Sequence, residues 1–395
     1  MTENKAFSTL AVHAGEVRRK PYGALTMPVV QTSTFTFKDT ADILKFMRAK
    51  AAGDQELRDE YGRYGNPTQS ALERKIAALE GGEQCLLFSS GMCAITSALM
   101  ALLASGDHMV LVQGVYRRTK EFVQNVLPRW GIEVSLVPVD DPAALAAALR
   151  PTTRLVLAET PTNPYLRVMD LQRLAELAKP RRILTAVDST FATPVNLRPL
   201  EWGLDLVFHS VTKYLAGHND VICGAVVGSR QILDRVKEFR GIMGGVAGPQ
   251  EVYLALRGLK TLDLRLRRQN ENGQQVAEFL EGHPAVSRVY YPGLPSHPDH
   301  AMARRLMSGF GGVVSFEIKG DMEKTAKFID RLRLPYLGPT LGGVEGIAQQ
   351  QALFISLDPE ERQASGISDN LVRYALGIED ARDILADLAQ ALAGL

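Results

Sequence analysis

The sequence predicts an α/β fold, with a mostly parallel sheet covered by helices on both faces and a smaller C-terminal α/β domain. The chain has 395 residues, 46% of them hydrophobic, which is enough to bury the cores of more than one domain. Short apolar runs alternate with helical segments between residues 85 and 228, as is typical of parallel strands joined by helical crossovers. The pattern changes near residues 248–249, where a long helical stretch begins.

The N-terminal residues 1–62 are predicted to form an irregular arm. Pro21, Pro28 and a Thr/Ser-rich stretch at 31–37 interrupt any regular pattern there. The first regular element is a helix at 69–79, because two glycines follow at 81 and 82.

The large domain is predicted to span residues 63–255. Apolar runs of strand length occur at 85–88, 108–113, 132–139, 154–159, 183–187, 206–208 and 224–228. Helical segments lie between them at 91–104, 117–130, 142–149 and 171–178.

The small domain is predicted to span residues 256–395. It follows from the helical stretch at 251–280, strand-like runs at 286–291, 312–317 and 371–375, and helices at 322–333 and from 379 onward.

Charge and hydropathy exclude several classes of protein. A net charge of +1 argues against a broad basic face for nucleic acid or a membrane surface. No apolar span is long enough to cross a membrane, and the first five residues are polar, unlike a secretory signal. We therefore predict a cytoplasmic protein that binds neither nucleic acid nor membrane.

Cysteine and histidine spacing agree with that prediction. Cys85, Cys93 and Cys223 form no CxxC pair, as expected in a reducing compartment. His297 and His300 lie close together but have no obvious third ligand, so we predict no metal site.

Lys213 is the first candidate for chemistry. It follows the apolar run LDLVF at 204–208, which predicts a buried strand broken only by Asp205. A lysine just past such a strand can be desolvated, kept partly neutral and used as a nucleophile toward a carbonyl. The alternative is a solvated loop lysine.

Two further positions complete a pattern with Lys213. Gly91, in SSGM at 89–92, lies where a strand ends and a helix begins, a place that suits a phosphate or an ordinary turn. Asp188 ends an apolar strand at the sheet edge where ligands bind, and it could hold a protonated ring nitrogen or cap a helix. A lysine and an acid so placed are the protein partners of pyridoxal phosphate, and Ser210 and Thr212 could donate hydroxyls to its phosphate.

Four motifs identify a resemblance. SSGM at 89–92, ETPTNP at 159–164, VDSTFATP at 187–194 and HSVTKYLAGH at 209–218 resemble the Cys/Met-metabolism family of pyridoxal-phosphate enzymes. The resemblance runs from about Thr9 to the C-terminus. Within the family, EYGRYGNPT at 60–68, YRRT at 116–119 and YYPGLPSH at 290–297 most resemble the plant-type cystathionine γ-synthases.

The resemblance implies an aspartate aminotransferase-like fold of type I, with a seven-stranded sheet, and pyridoxal 5'-phosphate as cofactor. It implies that Lys213 carries the cofactor as a Schiff base and moves protons between substrate carbons, while Asp188 holds the pyridinium nitrogen. Tyr116 would stack on the ring, and Asn163 would contact the ring hydroxyl. Without the resemblance these two would be a surface aromatic and a plain Asn-Pro turn. The remaining cofactor contacts implied are Gly91, Met92, Ser210, Thr212, Tyr61 and Arg63.

The resemblance also implies partners. Tyr61 and Arg63 would reach the phosphate of a neighbouring subunit, so the chain would form a homo-oligomer, a tetramer of two active dimers, with the arm on the neighbour. Taken alone, Arg63 would be a solvated charge. Arg373 would bind the α-carboxylate of a small amino-acid substrate, because its planar fork matches a carboxylate, or it would pair with a nearby acid. Glu345 would lie near the amino end of the distal substrate, or on the surface of a Gly-rich loop.

Some residues depart from the family pattern. Ser189 stands where many relatives have Asn, and Arg117 and Arg118 stand where many have two glycines. These arginines could receive an anionic leaving group or could be exposed residues at a helix start. The stretch 349–356, which ends at Ser356, also differs and leaves the substrate open.

The resemblance to cystathionine γ-synthases implies a γ-replacement in which an activated L-homoserine ester and L-cysteine give L-cystathionine. The alternatives are a γ-lyase, an O-acylhomoserine sulfhydrylase, or a binding protein that has lost its chemistry. The joint presence of Lys213, Asp188 and Arg373 argues against the last.

Overall fold

The computed structural model describes residues 5–54, 58–393 and 395. The parts of the predicted arm at 1–4 and 55–57 lie outside the described residues.

The helices of the described residues alternate with strands over most of the chain. The helices are α1 Phe7–His13, α2 Thr40–Ala51, α3 Pro67–Glu80, α4 Gly91–Leu102, α5 Arg117–Asn125, α6 Pro142–Ala148, α7 Leu171–Ala178, α8 Thr193–Asn196, α9 Arg230–Met243, α10 Pro249–Leu259, α11 Leu262–Glu281, α12 His300–Leu306, α13 Met322–Arg331, α14 Pro359–Ser365 and α15 Ala381–Leu392. The strands are β1 Gln84–Phe88, β2 His108–Val112, β3 Glu133–Val137, β4 Thr153–Glu159, β5 Leu184–Asp188, β6 Leu206–Ser210, β7 Gly224–Gly228, β8 Val286–Tyr290, β9 Val313–Ile318, β10 Tyr336–Leu337, β11 Ile347–Gln350 and β12 Leu371–Ala375.

The larger sheet has seven strands in the order β1-β7-β6-β5-β4-β2-β3. All neighbours run parallel except β7, which is antiparallel to both β1 and β6. The predicted fold class, with its mostly parallel seven-stranded sheet, is therefore confirmed. Because parallel strands end at one edge, the register brings Glu159 opposite Asp188, and Asp188 opposite Phe208.

Apolar side chains cover both faces of this sheet, as its buried strands require. On one face, Ile95 and Leu99 of α4 pack in one cluster with Phe208 of β6. On the other, Leu174 of α7 packs with Val156 of β4. The sheet is thus a rigid platform whose free edge carries the polar strand ends.

The smaller sheet has five strands in the order β10-β11-β12-β9-β8. It is mainly antiparallel, and α11 packs against β8 and β9. The two sheets lie on either side of the predicted boundary at residue 255. The boundaries of the three predicted domains themselves stay predictions.

The arm is less irregular than predicted, because it contains α1 and α2. The sequence signal is weak because α1 has no side-chain N-cap and buries only Ala11. Its stability comes from tertiary contacts, chiefly the fully buried Lys75 of α3, whose Nζ donates to Ala11 O and Val12 O at 2.9 Å each.

Other differences arise where a residue ends a helix early or where the sequence pattern did not indicate a helix. The predicted helix 117–130 ends as α5 at Asn125, and Pro128 allows only a 3₁₀ turn after it. The predicted stretch 251–280 is two helices, because the chain breaks at Lys260 and Thr261. Helix α9 was not predicted at all. None of the helices within 5–54 and 58–393 is long and apolar enough to cross a membrane.

Candidate active site

A cavity of about 210 Å³ opens at the carboxyl edge of the larger sheet, beside the start of α4 and a loop that precedes β11. It contains most of the side chains that the sequence singled out. The lining residues are Ser90, Gly91, Met92, Ile95, Tyr116, Glu159, Asn163, Asp188, Thr190, Phe191, Ser210, Thr212, Lys213, Pro339, Leu341 and Arg373.

Lys213 lies in the turn that follows β6, where its backbone N–H donates to Ser210 O at 3.1 Å. Its Nζ donates to Thr340 Oγ1 at 2.8 Å. Burial, together with the positive charge of Arg373, lowers the pKa of Lys213 to about 8. A substantial fraction of this amine is therefore neutral near physiological pH, as a nucleophile or proton acceptor requires.

Asp188 ends β5 beside this lysine. Its Oδ1 accepts hydrogen bonds from Thr190 N at 3.0 Å and Thr190 Oγ1 at 2.5 Å. Burial raises the pKa of Asp188, while the bonds from Thr190 and the nearby charge of His209 oppose that effect. The carboxylate is therefore fixed in orientation at the sheet edge.

Glu159 lies next to Asp188 and was not identified as a site residue from the sequence. It ends β4, is buried, and accepts a hydrogen bond from Tyr116 N at 2.6 Å. Burial and the charge of Asp188 raise its pKa well above the usual range. The available signal was the one used for Asp188, an acid at the end of an apolar strand.

The cavity wall at the start of α4 has no room for larger side chains. A Cβ on Gly91 would lie 3.0 Å from Ser210 Cβ, and one on Gly224 would lie 2.1 Å from Ser90 O. The approach at Gly224 is closer than a Cβ can come, so glycine is needed there, and a Cβ on Gly91 would require Ser210 to shift. The positive end of the α4 dipole therefore faces the cavity through a close backbone cradle, a geometry that fits a phosphate.

The hydroxyl-bearing residues of this wall differ in their hydrogen-bond partners. Thr212 Oγ1 accepts from Cys223 N at 3.0 Å and donates to Cys223 O at 3.2 Å. Ser90 Oγ caps α4 by accepting from Cys93 N at 3.0 Å. Ser210 lines the cavity beside them and donates its backbone N–H to Thr190 Oγ1 at 2.8 Å.

Arg373 enters the cavity from β12 of the smaller sheet and is only 4% exposed. Its guanidinium donates to Asn163 Oδ1 at 3.2 Å, Thr340 O at 3.1 Å and Gln349 Oε1 at 3.0 Å. Its Nε is buried without a partner, and no ion pair among the described residues includes it. Burial lowers its pKa to about 10, so it stays charged at neutral pH. A buried cation with a spare donor suits an incoming carboxylate.

Three predicted site residues do not line this cavity. Tyr61 is 41% exposed, and Arg63 lies 4.9 Å over the ring of Tyr64 and donates to Gly241 O. Glu345 is exposed and accepts from Asn219 Nδ2 at 2.8 Å. Their predicted roles stay predictions.

The two arginines that depart from the family pattern are exposed at the start of α5. Arg117 and Arg118 both pair with Glu121, at 3.3 and 2.6 Å. Neither lines the cavity, so their location agrees with exposed residues at a helix start.

The chain is similar to known proteins over nearly its whole length. A family model described as "Cys/Met metabolism PLP-dependent enzyme" matches residues 8–393. The chain is 47% identical to "Cystathionine gamma-synthase 1, chloroplastic" of Arabidopsis thaliana, over 97% of this chain and 68% of that protein. It is 42% identical to "L-methionine gamma-lyase" of Fusobacterium nucleatum subsp. polymorphum, over 99% of each.

A solved structure extends the likeness to three dimensions. The "Crystal structure of metB from Corynebacterium glutamicum" has a TM-score of 0.91 and 36% identity, and the match covers 100% of this chain and 99% of that one. The resemblance noted from the motifs, including the plant-type one, is confirmed by these identities. The chain therefore belongs to the Cys/Met metabolism family of PLP-dependent enzymes.

Proposed function

We propose that this enzyme catalyses a γ-replacement in which an activated L-homoserine ester and L-cysteine form L-cystathionine. The observation that supports it is the meeting of the Lys213 amine, the Asp188 carboxylate and the Arg373 guanidinium in one cavity. A nucleophilic amine, an acid for a ring nitrogen and a cation for a carboxylate are what pyridoxal-phosphate chemistry on an amino acid requires.

The lining residues fit the cofactor. Lys213 would bind its aldehyde carbon, Asp188 its ring nitrogen, and Tyr116 and Asn163 its ring. Its phosphate would lie at the glycine-walled cradle, with Gly91, Met92, Ser210 and Thr212 as the contacts. When bound, pyridoxal phosphate supplies the electron sink that makes the substrate's α-proton acidic.

Lys213 would then move protons. Its amine, with a pKa of about 8, accepts a proton from the α-carbon and returns protons further along the substrate chain. Thr340 Oγ1 accepts a hydrogen bond from Nζ and so directs the amine. Because the pKa of Lys213 is about 8, close to neutral pH, the same amine can act first as a base and then as an acid.

Arg373 would hold the substrate carboxylate. The hydrogen bonds to Asn163, Gln349 and Thr340 O fix the plane of the guanidinium group where Arg373 lines the cavity. Glu345 would contact the amino end of the second substrate, from the exposed loop that Asn219 holds.

Relatives named for replacement and relatives named for elimination are both similar to this chain. Identity is 47% and 45% to two plant proteins named cystathionine gamma-synthase 1, and 42% to "Cystathionine gamma-lyase" of Bacillus subtilis. A γ-lyase and an O-acylhomoserine sulfhydrylase are the alternatives.

An assay panel tests the proposal. Purified protein is given O-succinyl-, O-acetyl- or O-phosphohomoserine with cysteine, and we expect cystathionine. Oxo acid and ammonia from cystathionine or methionine, without cystathionine synthesis, would establish the lyase instead. Homocysteine from sulfide, in preference to cystathionine from cysteine, would establish the sulfhydrylase.

We also propose that the chain forms a homo-oligomer. Tyr61 and Arg63 lie outside the cavity of their own chain, and exposed apolar side chains such as Tyr22 (99% exposed) and Leu25 (89%) mark the arm. Both features agree with a homotetramer of two active dimers, in which the arm and these two residues complete a neighbour's site. The cytoplasmic location stays a prediction, since two plant relatives are named chloroplastic.

Mixing inactive variants tests the shared site. Lys213→Ala and Arg63→Ala proteins are denatured together, refolded and assayed. If Arg63 serves the neighbour, mixed dimers contain one intact site, and activity returns to about one quarter of the wild-type value. No recovery above the sum of the parents would place Arg63 in the site of its own chain.

A further inference from the structure

Glu159 has no role in the function proposed above, although it lines the same cavity as Lys213 and Asp188. It is 4% exposed, at the end of β4, and its Cα is the register partner of Asp188. A buried carboxyl group in an active site needs a reason, because burial without partners is costly.

Among residues 5–54 and 58–393, the hydrogen-bond partner of its carboxyl group is the backbone N–H of Tyr116. The distance from Tyr116 N to Glu159 Oε2 is 2.6 Å. Tyr116 is the N-cap residue of α5 and has no side-chain cap bond, while its ring is 45% exposed. The carboxyl group of Glu159 therefore sets where the backbone of Tyr116 lies, and so where its ring can reach.

Glu159 is well suited to do this without a charge. Asp188 lies on the adjacent strand at the same level, and two carboxylates side by side in a buried place do not both ionise easily. Burial and Asp188 both raise the pKa of Glu159. A neutral carboxyl group can accept the Tyr116 N–H with one oxygen and keep a donor on the other.

We propose that Glu159 is a positioning residue, whose neutral carboxyl group holds the Tyr116 backbone so that the tyrosine ring lies against the cofactor. This inference rests on the proposed role of Tyr116. A glutamine would serve equally well, because its amide also offers one acceptor and one donor side.

The test compares Glu159→Gln with Glu159→Met. We expect Glu159→Gln to keep kcat/KM within about 3-fold of wild type, since a neutral acceptor remains. Glu159→Met should lose about 100-fold, because displacement of a positioning group by about 1 Å has that effect. The circular dichroism of the bound cofactor should fall in Glu159→Met and be retained in Glu159→Gln. Equal loss in both variants would overturn the proposal, since it would mean that the charged form is needed.

Glu73 gives a matched control. Its carboxylate also accepts one backbone N–H, from Leu87 at 3.0 Å, but it is paired with Arg240 at 2.8 Å and does not line the cavity. Glu73→Gln should lower the unfolding midpoint, because the ion pair is lost, and should leave the cofactor dichroism unchanged.

A backbone ester in place of the amide at Tyr116 removes only the N–H donor and covers the case in which Glu159→Met does not fold. It should reproduce the loss of dichroism, and an unchanged signal would overturn the inference. Tyr116→Ala distinguishes a failure of the proposed role of Tyr116 from a failure of the inference about Glu159. If this variant keeps the dichroism and the kcat/KM, the proposed role of Tyr116 fails. If it loses them while the ester does not, only the inference about Glu159 fails.

Discussion

Two lysines with the same lowered pKa occupy very different surroundings. Burial lowers the pKa of both Lys213 and Lys75 to about 8. Lys75 is fully buried, donates to Ala11 O and Val12 O, and lies 3.4 Å from Glu16. Lys213 opens onto a cavity, and within the described part of the chain its amine has only the Thr340 hydroxyl as a hydrogen-bond partner.

The difference teaches that a shifted pKa does not by itself mark a catalytic amine. At Lys75 the carboxylate of Glu16 and two carbonyls favour the cation and oppose the effect of burial, although Lys260 and Lys20 add to it. At Lys213 the charged neighbour is Arg373, which adds to the effect of burial. Lys75 is therefore a structural cation that fastens the arm to α3, whereas Lys213 is the amine proposed to react.

The largest expected effect separates the two lysines by activity. Lys213→Met should lower kcat by about 100- to 10,000-fold, the range associated with loss of a general base. In cofactor-free protein the unfolding midpoint should not fall, because a buried cation next to Arg373 is removed. Steady-state kinetics and thermal melts check both. Lys75→Met, assayed in parallel, should keep kcat, and a comparable loss there would break the comparison.

The next effect concerns the cation beside Lys213. Arg373→Met should raise KM for the amino-acid substrate by about 100-fold, because a buried charge partner of the carboxylate is lost. Substrate titrations against wild type measure this, with the carboxamide of the same substrate as control. The amide should bind the two proteins equally. If the acid also bound equally, Arg373 would have no role in carboxylate binding.

A smaller effect concerns stability at Lys75. Lys75→Met should lower the free energy of unfolding by roughly 1–3 kcal/mol at neutral pH, because two buried carbonyls lose their donor. The folded-state pKa of about 8 lies below the ordinary 10.5, so the unfolded chain binds more protons between those values. The free energy of unfolding of the wild type therefore rises relative to that of the variant as pH increases from about 8 to 10.5.

Denaturant unfolding at several pH values between 7 and 10 measures the Lys75 effect, since other groups titrate alike in both proteins. A gap between wild type and variant that stays constant with pH would show that Lys75 titrates normally.

The smallest effect is a change in titration. In cofactor-free protein, competitive acetylation of Lys213 should rise with pH around a midpoint of about 8. Arg373→Met should move that midpoint upward, because a neighbouring cation no longer disfavours the protonated amine. Peptide mass spectrometry gives the midpoints. Lys75, buried in the same samples, should label slowly at every pH, and a fast reaction there would show that the arm opens.

Much of the larger domain could be predicted because its signals are local. Lys213 follows a short apolar strand and Asp188 ends one, and the ends of parallel strands lie at one edge of the sheet. The alternation of strands and helices therefore predicts a parallel sheet, and a parallel sheet places these two residues at its carboxyl edge. Arg373 was found only through its motif, since a strand arginine has no local pattern of its own.

The missed features depend on tertiary contacts. Thr340 contacts Lys213 from 127 positions further along the chain, so no spacing rule could pair them. Glu159 carried the same signal as Asp188, but its contact with Tyr116 comes from the turn into α5. Helix α1 depends on Lys75 beneath it. The shared cause is that each feature is stabilised by a partner distant in sequence.

The hydrogen bond between Arg373 and Asn163 has a consequence for control of the enzyme. It joins a residue of the smaller sheet, the proposed anchor of the substrate, to a loop residue of the larger sheet, the proposed neighbour of the cofactor ring. With these roles, bound cofactor changes the affinity for the substrate carboxylate by some factor. The bound carboxylate then changes the affinity for the cofactor by the same factor. A substrate that binds Arg373 more tightly when the cofactor is present would thus make the enzyme retain its cofactor more firmly by the same factor.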